Sequence, residues 1–305
     1  MIFSKSARRF TLGGAASAIA VGLMAASVAP AGAADVKPGE LTDAQVLNVV
    51  KTVNGAGGPE RDSYIIGGSK TSIKSYPFMA QLFVKDSAGR WSFCGGSVVN
   101  SKKILTAAHC VHGRNYVTNG FVVLGATHIA DGNGLHGGKV FYLKKQWKHP
   151  KYNARTIAND VAVLTLKTAT RAKPIKVTTS TDKASYKAGT KATILGWGRT
   201  SSTKPDLAAN LKKATLPINS DATCKAAWGA TFIPGANVCA GKKSTGSDRT
   251  TTTSCNGDSG GPLIVKGRIV GVVSWGIKDC VKRGFFPVYA KYSTYAKTVA
   301  PQLRN

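Results

Sequence analysis

Residues 253–262 read Thr-Ser-Cys-Asn-Gly-Asp-Ser-Gly-Gly-Pro, a stretch in which one serine stands among three glycines. Glycine allows positive φ angles and lets another molecule approach the main chain closely. If Ser259 is a nucleophile, the N–H groups of Gly257 and Ser259 can bind an oxygen that becomes negatively charged. A serine hydroxyl needs a base to remove its proton, so this interpretation requires a histidine and an orienting carboxylate elsewhere. Without those partners, the stretch is an ordinary glycine-rich turn.

Both partners occur in the chain. His109 lies in the segment Thr-Ala-Ala-His-Cys at residues 106–110, directly after an apolar run. Asp160 precedes the segment Val-Ala-Val-Leu, which has the composition of a strand. The order histidine, aspartate, serine along the chain is informative, because unrelated folds that use these three groups place them in other orders. The three side chains together predict catalysis by an activated serine.

From residue 65 onward, the chain shows short runs with strand composition, separated by Gly, Asn, Ser and Pro. The predicted strands are residues 78–84, 96–99, 120–125, 139–143, 161–166, 193–197, 263–265 and 269–275. Many short strands without helical periodicity between them indicate an all-β barrel or sandwich. Aromatic and apolar residues at helical spacing predict a C-terminal helix over residues 289–303.

The motifs Ala-Ala-His-Cys, Asn-Asp-Val-Ala-Val and Gly-Asp-Ser-Gly-Gly-Pro, in this order, resemble the chymotrypsin/trypsin family of secreted serine proteases. Further matches are Ile-Ile-Gly-Gly at 65–68, His-Pro-Lys-Tyr-Asn at 149–153, Gly-Trp-Gly at 196–198 and Ser-Trp-Gly at 274–276. The resemblance runs from Ile65 to about Tyr295. It implies two six-stranded antiparallel Greek-key β-barrels, at residues 65–172 and 173–305, with the active site between them and the terminal helix in the second.

The resemblance implies a serine endopeptidase that acts on protein or peptide substrates without a cofactor. In it, Ser259 attacks the carbonyl carbon, His109 moves the proton and Asp160 orients the imidazole. The N–H groups of Gly257 and Ser259 form the oxyanion hole.

Three further residues are expected to contact the substrate. Ser274 should lie near Asp160, and the main chain of Ser274, Trp275 and Gly276 should pair with an extended peptide.

The pocket residues that the resemblance identifies predict cleavage after large apolar or aromatic residues. Thr253 stands at the position on the pocket floor where an aspartate gives preference for Arg or Lys. Trp228 resembles the chymotrypsin branch, and Pro287 replaces a wall glycine and favours a shallower pocket that suits Leu or smaller side chains. Asp279 is the one nearby acid that could restore basic specificity, so trypsin-like cleavage remains the alternative.

The N-terminus predicts export and proteolytic maturation. Residues 1–33 combine a basic front, an Ala/Gly-rich apolar stretch and the small residues Ala-Gly-Ala, which favours a cleaved signal peptide over a membrane anchor. Residues 34–64 are predicted to be an activation segment with one helix over 41–52 and an exposed Gly/Pro linker. A disordered tail without a role is the alternative. The mature form is expected to be secreted, extracellular and without a membrane span.

The resemblance implies activation by a cut between Tyr64 and Ile65. The new amino group would pair with Asp258, because an unpaired buried carboxylate is costly. Tyr64 is not the Arg or Lys usual at this cut, which suggests that an enzyme preferring aromatic residues processes itself. A cut after Arg61 would leave three extra residues ahead of Ile65 and block its insertion.

The six cysteines predict disulfides in an exported chain, and from the sequence alone they allow fifteen pairings. The resemblance implies the pairs Cys94–Cys110, Cys224–Cys239 and Cys255–Cys280. No Cys-x-x-Cys spacing occurs, and the remaining histidines are scattered, so no metal site is predicted.

The chain is strongly basic, with a formal charge of +28. Residues 65–305 contain 36 of the 42 basic residues and nine of the 14 acidic residues, so their formal net charge is +27. Such a charge attracts anionic polymers weakly, but dispersed lysines give no base-reading element, so no specific nucleic acid is expected. We expect a monomer that protein protease inhibitors can bind. The alternative class is a non-catalytic, basic binding protein with the same fold. The presence of all three triad residues argues against this alternative.

Overall fold

A computed structural model of the full chain describes residues 40–54, 65–130 and 133–304. These residues form strands and helices that we number in chain order. The strands are β1 Ser69–Lys70, β2 Met79–Lys85, β3 Trp91–Asn100, β4 Lys103–Thr106, β5 Gly120–Leu124, β6 Lys139–Phe141, β7 Leu143–Lys148, β8 Ala162–Leu166, β9 Lys176–Val177, β10 Lys191–Gly196, β11 Lys212–Pro217, β12 Asn237–Cys239, β13 Pro262–Val265, β14 Arg268–Trp275 and β15 Val288–Lys291. The helices are α1 Asp43–Asn54, α2 Ala108–Val111, α3 Tyr116–Asn119, α4 Asp221–Trp228 and α5 Tyr292–Val299.

Three calls on the N-terminus lie outside the described residues: the signal peptide at 1–33, the Gly/Pro linker at 55–59 and Tyr64 at the proposed cut. Within the ranges that are described, no helix combines the length and apolarity needed to cross a membrane.

The first sheet has the strand order β6-β5-β2-β3-β4-β8-β7, and all its pairs are antiparallel. At its centre, Leu82 of β2 faces Cys94 of β3 on one side and Val122 of β5 on the other. Because residues directly opposite each other on neighbouring strands point to the same face of a sheet, Leu82 and Val122 share a face, where they join the main apolar core. This sheet carries His109, which follows β4 in the short helix α2.

The second sheet has the order β1-β11-β10-β13-β14-β15-β12, and β9 pairs in parallel with β14. Strand β1 lies early in the chain but pairs with β11, so residues 69–70 belong to the second sheet. The Ser259 loop enters β13 directly, and Ser274 and Trp275 lie at the end of β14. The second sheet therefore carries the serine loop and the expected substrate strand.

The mostly β fold, its two antiparallel sheets and the C-terminal helix confirm the predicted fold class. The sheets contain seven and eight strands among the described residues, where the resemblance implied six in each barrel. Very short strands such as β1 and β9 account for part of the excess. The terminal helix begins at Tyr292 rather than residue 289, because Val288–Lys291 pairs with β12 and β14 as β15. The division at residues 172 and 173 stays a prediction.

Helix α1 packs on the first sheet. Thr42 and Gln45 cap its first turn reciprocally: Gln45 Oε1 accepts from the Thr42 amide at 2.8 Å, and Thr42 Oγ1 accepts from the Gln45 amide at 3.2 Å. Val46, Val49 and Val50 are buried and share one face of the helix. The helix predicted over 41–52 is therefore present, shifted by two residues at each end.

Three disulfides lie within the described residues, and no described cysteine is free. The pairs are the three that the resemblance implies, namely Cys94–Cys110, Cys224–Cys239 and Cys255–Cys280. The first joins β3 to α2, and the third joins the serine loop to the segment after β14. Disulfides are typical of proteins from oxidising compartments.

Candidate active site

The buried carboxylate of Asp160 holds His109 at two points. Asp160 Oδ2 lies 2.8 Å from His109 Nδ1, and Oδ1 accepts from the His109 amide at 2.8 Å. Ser274 donates its hydroxyl to the same Oδ2 at 2.6 Å. Asp160 is 1 % exposed, so its charge is shielded from water. This arrangement fixes a proton on Nδ1 and leaves Nε2 as the nitrogen that can accept one.

The backbone around His109 is held from several sides. Helix α2 is a single turn directly after β4, and Cys110 ties it to β3 through the disulfide with Cys94. The guanidinium of Arg114 donates to the carbonyls of His109 at 3.0 Å and Cys110 at 3.4 Å. Sequence reasoning missed Arg114, and no motif marks it. It satisfies carbonyls that a one-turn helix leaves without partners.

The Ser259 loop contacts both β3 and the segment that leads into α2. The Gly95 amide donates to the Ser259 carbonyl at 2.8 Å, and Thr106 donates its hydroxyl to the Gly95 carbonyl at 2.9 Å. Gly260 has a φ of 80°, and a Cβ there would clash with Thr106 Oγ1 and lie 2.5 Å from the Gly95 carbonyl oxygen. Only a residue without a side chain fits this contact. The loop of Ser259 and the segment that leads into α2 are therefore in direct contact.

Within the described part of the chain, no hydrogen bond joins Ser259 Oγ to His109 Nε2. Nε2 lies 3.7 Å from the sulfur of Cys110. Catalytic hydrogen bonds are often long before substrate binds and shorten in the complex. The structure thus brings the two segments together without a hydrogen bond between these two side chains.

The amides of the loop fall into two groups. The amides of Asp258, Gly260 and Gly261 donate to the carbonyls of Cys255, Val273 and Asp258, at distances of 2.9 to 3.0 Å. The amides of Gly257 and Ser259 donate to no other described residue. Gly257 has a φ of 97°, and a Cβ there would lie 2.5 Å from Leu207. The two amides without partners are the pair that sequence analysis assigned to the oxyanion.

Asp258 lies beneath this loop and is 1 % exposed. Its carboxylate accepts from the amides of Gly198 at 2.8 Å and Cys255 at 2.9 Å. Burial raises the pKa of Asp258 to about 7, and the two amide hydrogen bonds oppose that shift. No cationic group among the described residues pairs with Asp258. Ile65 is fully buried in the core of the second sheet, and the Ile66 carbonyl accepts from the Thr253 amide at 3.0 Å.

A cavity of about 230 Å³ opens beside Ser259. Its walls include Thr253, Ser274, Gly276 and Pro287. No acidic residue lines it, and the one charged residue that does is Lys278. Thr253 is 2 % exposed and donates its hydroxyl to the Ser254 carbonyl at 3.1 Å. The lining of the cavity therefore carries no negative charge and one positive charge.

The other pocket residues lie at different depths. Trp275 lines the cavity, whereas Trp228 lies behind it, 4.8 Å from Trp275 and 4.6 Å from Phe285 between ring centres. Trp228 also donates its indole N–H to the Phe286 carbonyl at 3.1 Å. It therefore supports the wall and does not form it. Asp279 is exposed, accepts from the Lys282 amide at 2.9 Å and does not line the cavity.

Two tyrosines close to Asp160 were not assigned a role from the sequence. Burial, and then the charge of Asp160, raise the pKa of Tyr152 to about 12. The same two causes raise the pKa of Tyr295 to about 12. Both phenols therefore stay neutral at physiological pH. The signal for Tyr152 was its place in the His-Pro-Lys-Tyr-Asn motif at 149–153.

The described residues include one group with the spacing of a metal site, formed by Cys94, His109 and Cys110. Its two sulfurs are bonded to each other, so neither is available as a thiolate ligand.

Comparison with known proteins agrees with this geometry. The family described as Trypsin matches residues 65–299, which include both sheets and α5. Trypsin from Saccharopolyspora erythraea is 38% identical over 239 residues, which are 78% of this chain and 98% of that protein. Kallikrein-14 from Homo sapiens is 34% identical over 269 residues, 87% of this chain and 92% of the relative. Cationic trypsin-3 from Rattus norvegicus is 34% identical over 239 residues, 78% of this chain and 89% of the relative.

The fold and the family match define the class: the protein is a hydrolase of peptide bonds. The chain belongs to the trypsin family of serine proteases.

Proposed function

We propose that the protein is a secreted endopeptidase that cleaves after large apolar or aromatic residues through an acyl-enzyme intermediate. One observation carries the catalytic part: the buried Asp160 carboxylate holds His109 Nδ1 at 2.8 Å, while Gly260 of the Ser259 loop packs against Thr106, in the segment before α2. Because Asp160 contacts Nδ1, Nε2 is the nitrogen of His109 that can act as the base. The family membership supports the same assignment.

In the proposed reaction, Ser259 Oγ attacks the carbonyl carbon and His109 Nε2 takes its proton. The tetrahedral oxyanion accepts from the amides of Gly257 and Ser259, a contribution of about 3 kcal/mol per donor. His109 then delivers the proton to the leaving amine. Water then attacks the acyl carbon while His109 Nε2 takes its proton, and His109 returns that proton to Ser259 Oγ as the bond between Oγ and the acyl carbon breaks, which releases the acid and restores the serine hydroxyl. Asp160 stabilises the imidazolium in both halves and keeps its own charge.

The end of β14 is the proposed substrate strand. Ser274, Trp275 and Gly276 border the cavity, and Ser274 also contacts Asp160. An extended peptide that pairs with this segment places its side chain in the cavity and its carbonyl beside Ser259. The strand therefore couples recognition to the catalytic groups.

Cavity chemistry supports an apolar preference. A substrate arginine or lysine would find no carboxylate among the residues that line the cavity, and it would approach Lys278. Burying an unpaired charge is costly, whereas an aromatic side chain gains from burial. Pro287 is buried in the cavity wall, next to Gly276. A Cβ atom added to Gly276 would lie 3.9 Å from Pro287 Cα. Cleavage after Arg or Lys is the alternative, because several relatives are named trypsin.

The specificity test uses matched peptide anilides that end in Phe, Leu, Ala and Arg. We expect kcat/KM for the best apolar substrate to exceed that for Arg on the order of 100-fold. Thr253→Asp should raise the value for Arg at least about tenfold, because it places a carboxylate at the pocket floor. Thr250→Asp adds the same charge to an exposed loop and serves as the control. A wild-type preference for Arg would refute the apolar assignment, and no turnover of any substrate would favour a non-catalytic scaffold.

Activation is proposed to follow a cut between Tyr64 and Ile65, after export by the signal peptide. Ile65 is already buried, and Asp258 lacks a cation among the described residues. A new amino group at Ile65 would supply one. If the enzyme performs this cut, purified full-length Ser259→Ala should remain unprocessed. Its maturation at Ile65 in isolation would exclude self-activation.

Weak binding to anionic polymers is a second candidate function, and one feature favours it. A cavity of about 400 Å³ beside the first sheet is lined by Ser101, Lys102, Lys103, Lys144, Lys145, Thr165, Leu166 and Lys167. Burial and the neighbouring lysines lower the pKa of Lys103. A polyanion would relieve that repulsion.

We expect the triple variant Lys102→Gln, Lys144→Gln, Lys145→Gln to bind random-sequence duplex DNA more weakly. The slope of log affinity against log salt should fall by about 0.9 for each lysine that contacts phosphate. The control removes the same charge at three exposed lysines, Lys183, Lys187 and Lys191. Equal losses in both triples would show that net charge, and not this cavity, attracts the polymer. The predictions of a monomer and of protein inhibitors as partners remain open.

A further inference from the structure

Both faces of the first sheet are apolar along β2 and β5. Along β5, Val122 and Leu124 join the main core, whereas Phe121 and Val123 join a separate cluster on the opposite face. Along β2, Phe83 points to that opposite face and is fully buried. A face of an antiparallel sheet that meets water normally carries polar side chains. The sequence of the protease domain therefore presents a surface that requires a cover.

Helix α1 is that cover. Val46 and Val50 are fully buried and Val49 is 7 % exposed, and all three pack in the cluster with Phe83 and Phe121. The two phenyl rings stack with their centres 5.0 Å apart. A helix of this length is marginal in water by itself, so its packing on the sheet stabilises it.

Polar contacts fix the start of the segment. The Tyr142 hydroxyl donates to the Leu41 carbonyl at 2.8 Å and accepts from the Leu41 amide at 3.0 Å. Glu40 pairs with Lys167 at 3.1 Å. The backbone of Leu41 thus pairs with one side chain of the domain, much as it would with a neighbouring strand. These contacts add position and direction to the apolar packing.

We infer that residues 40–54 stay bound to the protease domain after the chain is cut at Ile65, as a second, non-covalent chain of the enzyme. The location of the cut rests on the proposed function. All six cysteines follow residue 65, so no disulfide retains the segment. No residue of α1 lines the cavity beside Ser259, so the bound segment leaves the cleft open. The segment covers an apolar face and does not act as a plug.

The test uses a full-length Ser259→Ala chain with the recognition site of a sequence-specific viral protease placed within residues 55–60. After cutting, native mass spectrometry and gel filtration should find the N-terminal peptide bound to the domain at a ratio of one to one. A second pair of variants tests the interface. Val46→Asp with Val50→Asp should release the peptide, whereas Asn48→Asp with Thr52→Asp adds the same charge on the exposed side and should retain it.

Release of the unmodified peptide on cutting, or equal release from both double variants, would overturn the inference. If the Val46/Val50 variant does not fold, Tyr142→Phe offers a milder change. It removes both hydrogen bonds to Leu41 and should increase the dissociation rate of the cut peptide by roughly tenfold. An unchanged rate would count against the assigned interface. Because Ser259 is absent from this background, the outcome does not depend on whether the protein is a peptidase.

Discussion

Replacement of Ser259 by alanine is expected to lower kcat about a million-fold while leaving the fold intact. The change removes only the hydroxyl that the proposed mechanism uses as nucleophile. Ser259 is partly exposed, and its hydroxyl forms no hydrogen bond with another described residue, so its loss leaves no buried partner unsatisfied. Turnover of the best apolar anilide and thermal unfolding should be measured on the same preparations, processed by an added protease if necessary.

A matched change at an exposed serine provides the control. Ser87→Ala lies in the turn between β2 and β3 and should retain full activity. A serine-directed phosphonate should label the wild type and Ser87→Ala, and it should not label Ser259→Ala. Retention of more than a small fraction of activity by a pure Ser259→Ala sample would contradict the assigned nucleophile.

The second large effect concerns Asp258 before the cut. Burial raises its pKa from 3.8 to about 7, so the folded chain binds a proton more tightly than the unfolded chain. The stability that the folded chain gains from this tighter proton binding is therefore complete below pH 3.8, and it is lost as the pH rises to about 7. Within that window, Asp258 should lower the unfolding free energy of the uncut chain by up to about 1.4 kcal/mol per pH unit. Urea unfolding at a series of pH values measures the slope.

Cutting before Ile65 should reverse this dependence. A cation beside the carboxylate favours its charged form, and an ion pair made this way typically contributes about 3–5 kcal/mol relative to the unpaired charge. We would compare cut and uncut Ser259→Ala chains, with and without Asp258→Asn. The exposed Asp206→Asn provides the control, and it should leave both slopes unchanged. Identical pH profiles before and after the cut would exclude the proposed pairing.

The site was easier to predict from the sequence than its surroundings were. The proposed chemistry permits few residue types at the positions of His109, Asp160, Ser259 and Gly257, so short motifs predict them. Arg114 acts through backbone carbonyls, a role that many side chains could fill, and leaves no such signal. Trp228 was assigned to the substrate pocket, but it lies behind the residues that line the cavity. Its position depends on tertiary packing, which the sequence motif does not specify.

The fold shows the same division. Strands with continuous apolar runs, such as β2, β5, β8 and β14, were predicted, whereas the lysine-containing strands β7 and β11 were not. The two-residue strands β1 and β9 depend on pairing with distant partners. Residues 289–291 fit the helical spacing of the terminal segment, and tertiary pairing made them a strand instead. For α1, the helix itself was predicted from the sequence, over residues 41–52. Its partner surface was not, because that required knowing which face of the sheet lacked a cover.

The contact at Gly260 has an evolutionary consequence. Gly260 packs against Gly95 and Thr106, and neither Thr253 nor Pro287 takes part in this contact between the serine loop and the histidine segment. Residues such as Thr253 and Pro287 can then vary without moving the groups that break the bond. New substrate preferences can arise in such a protein one substitution at a time, each tested by selection on an enzyme that still works.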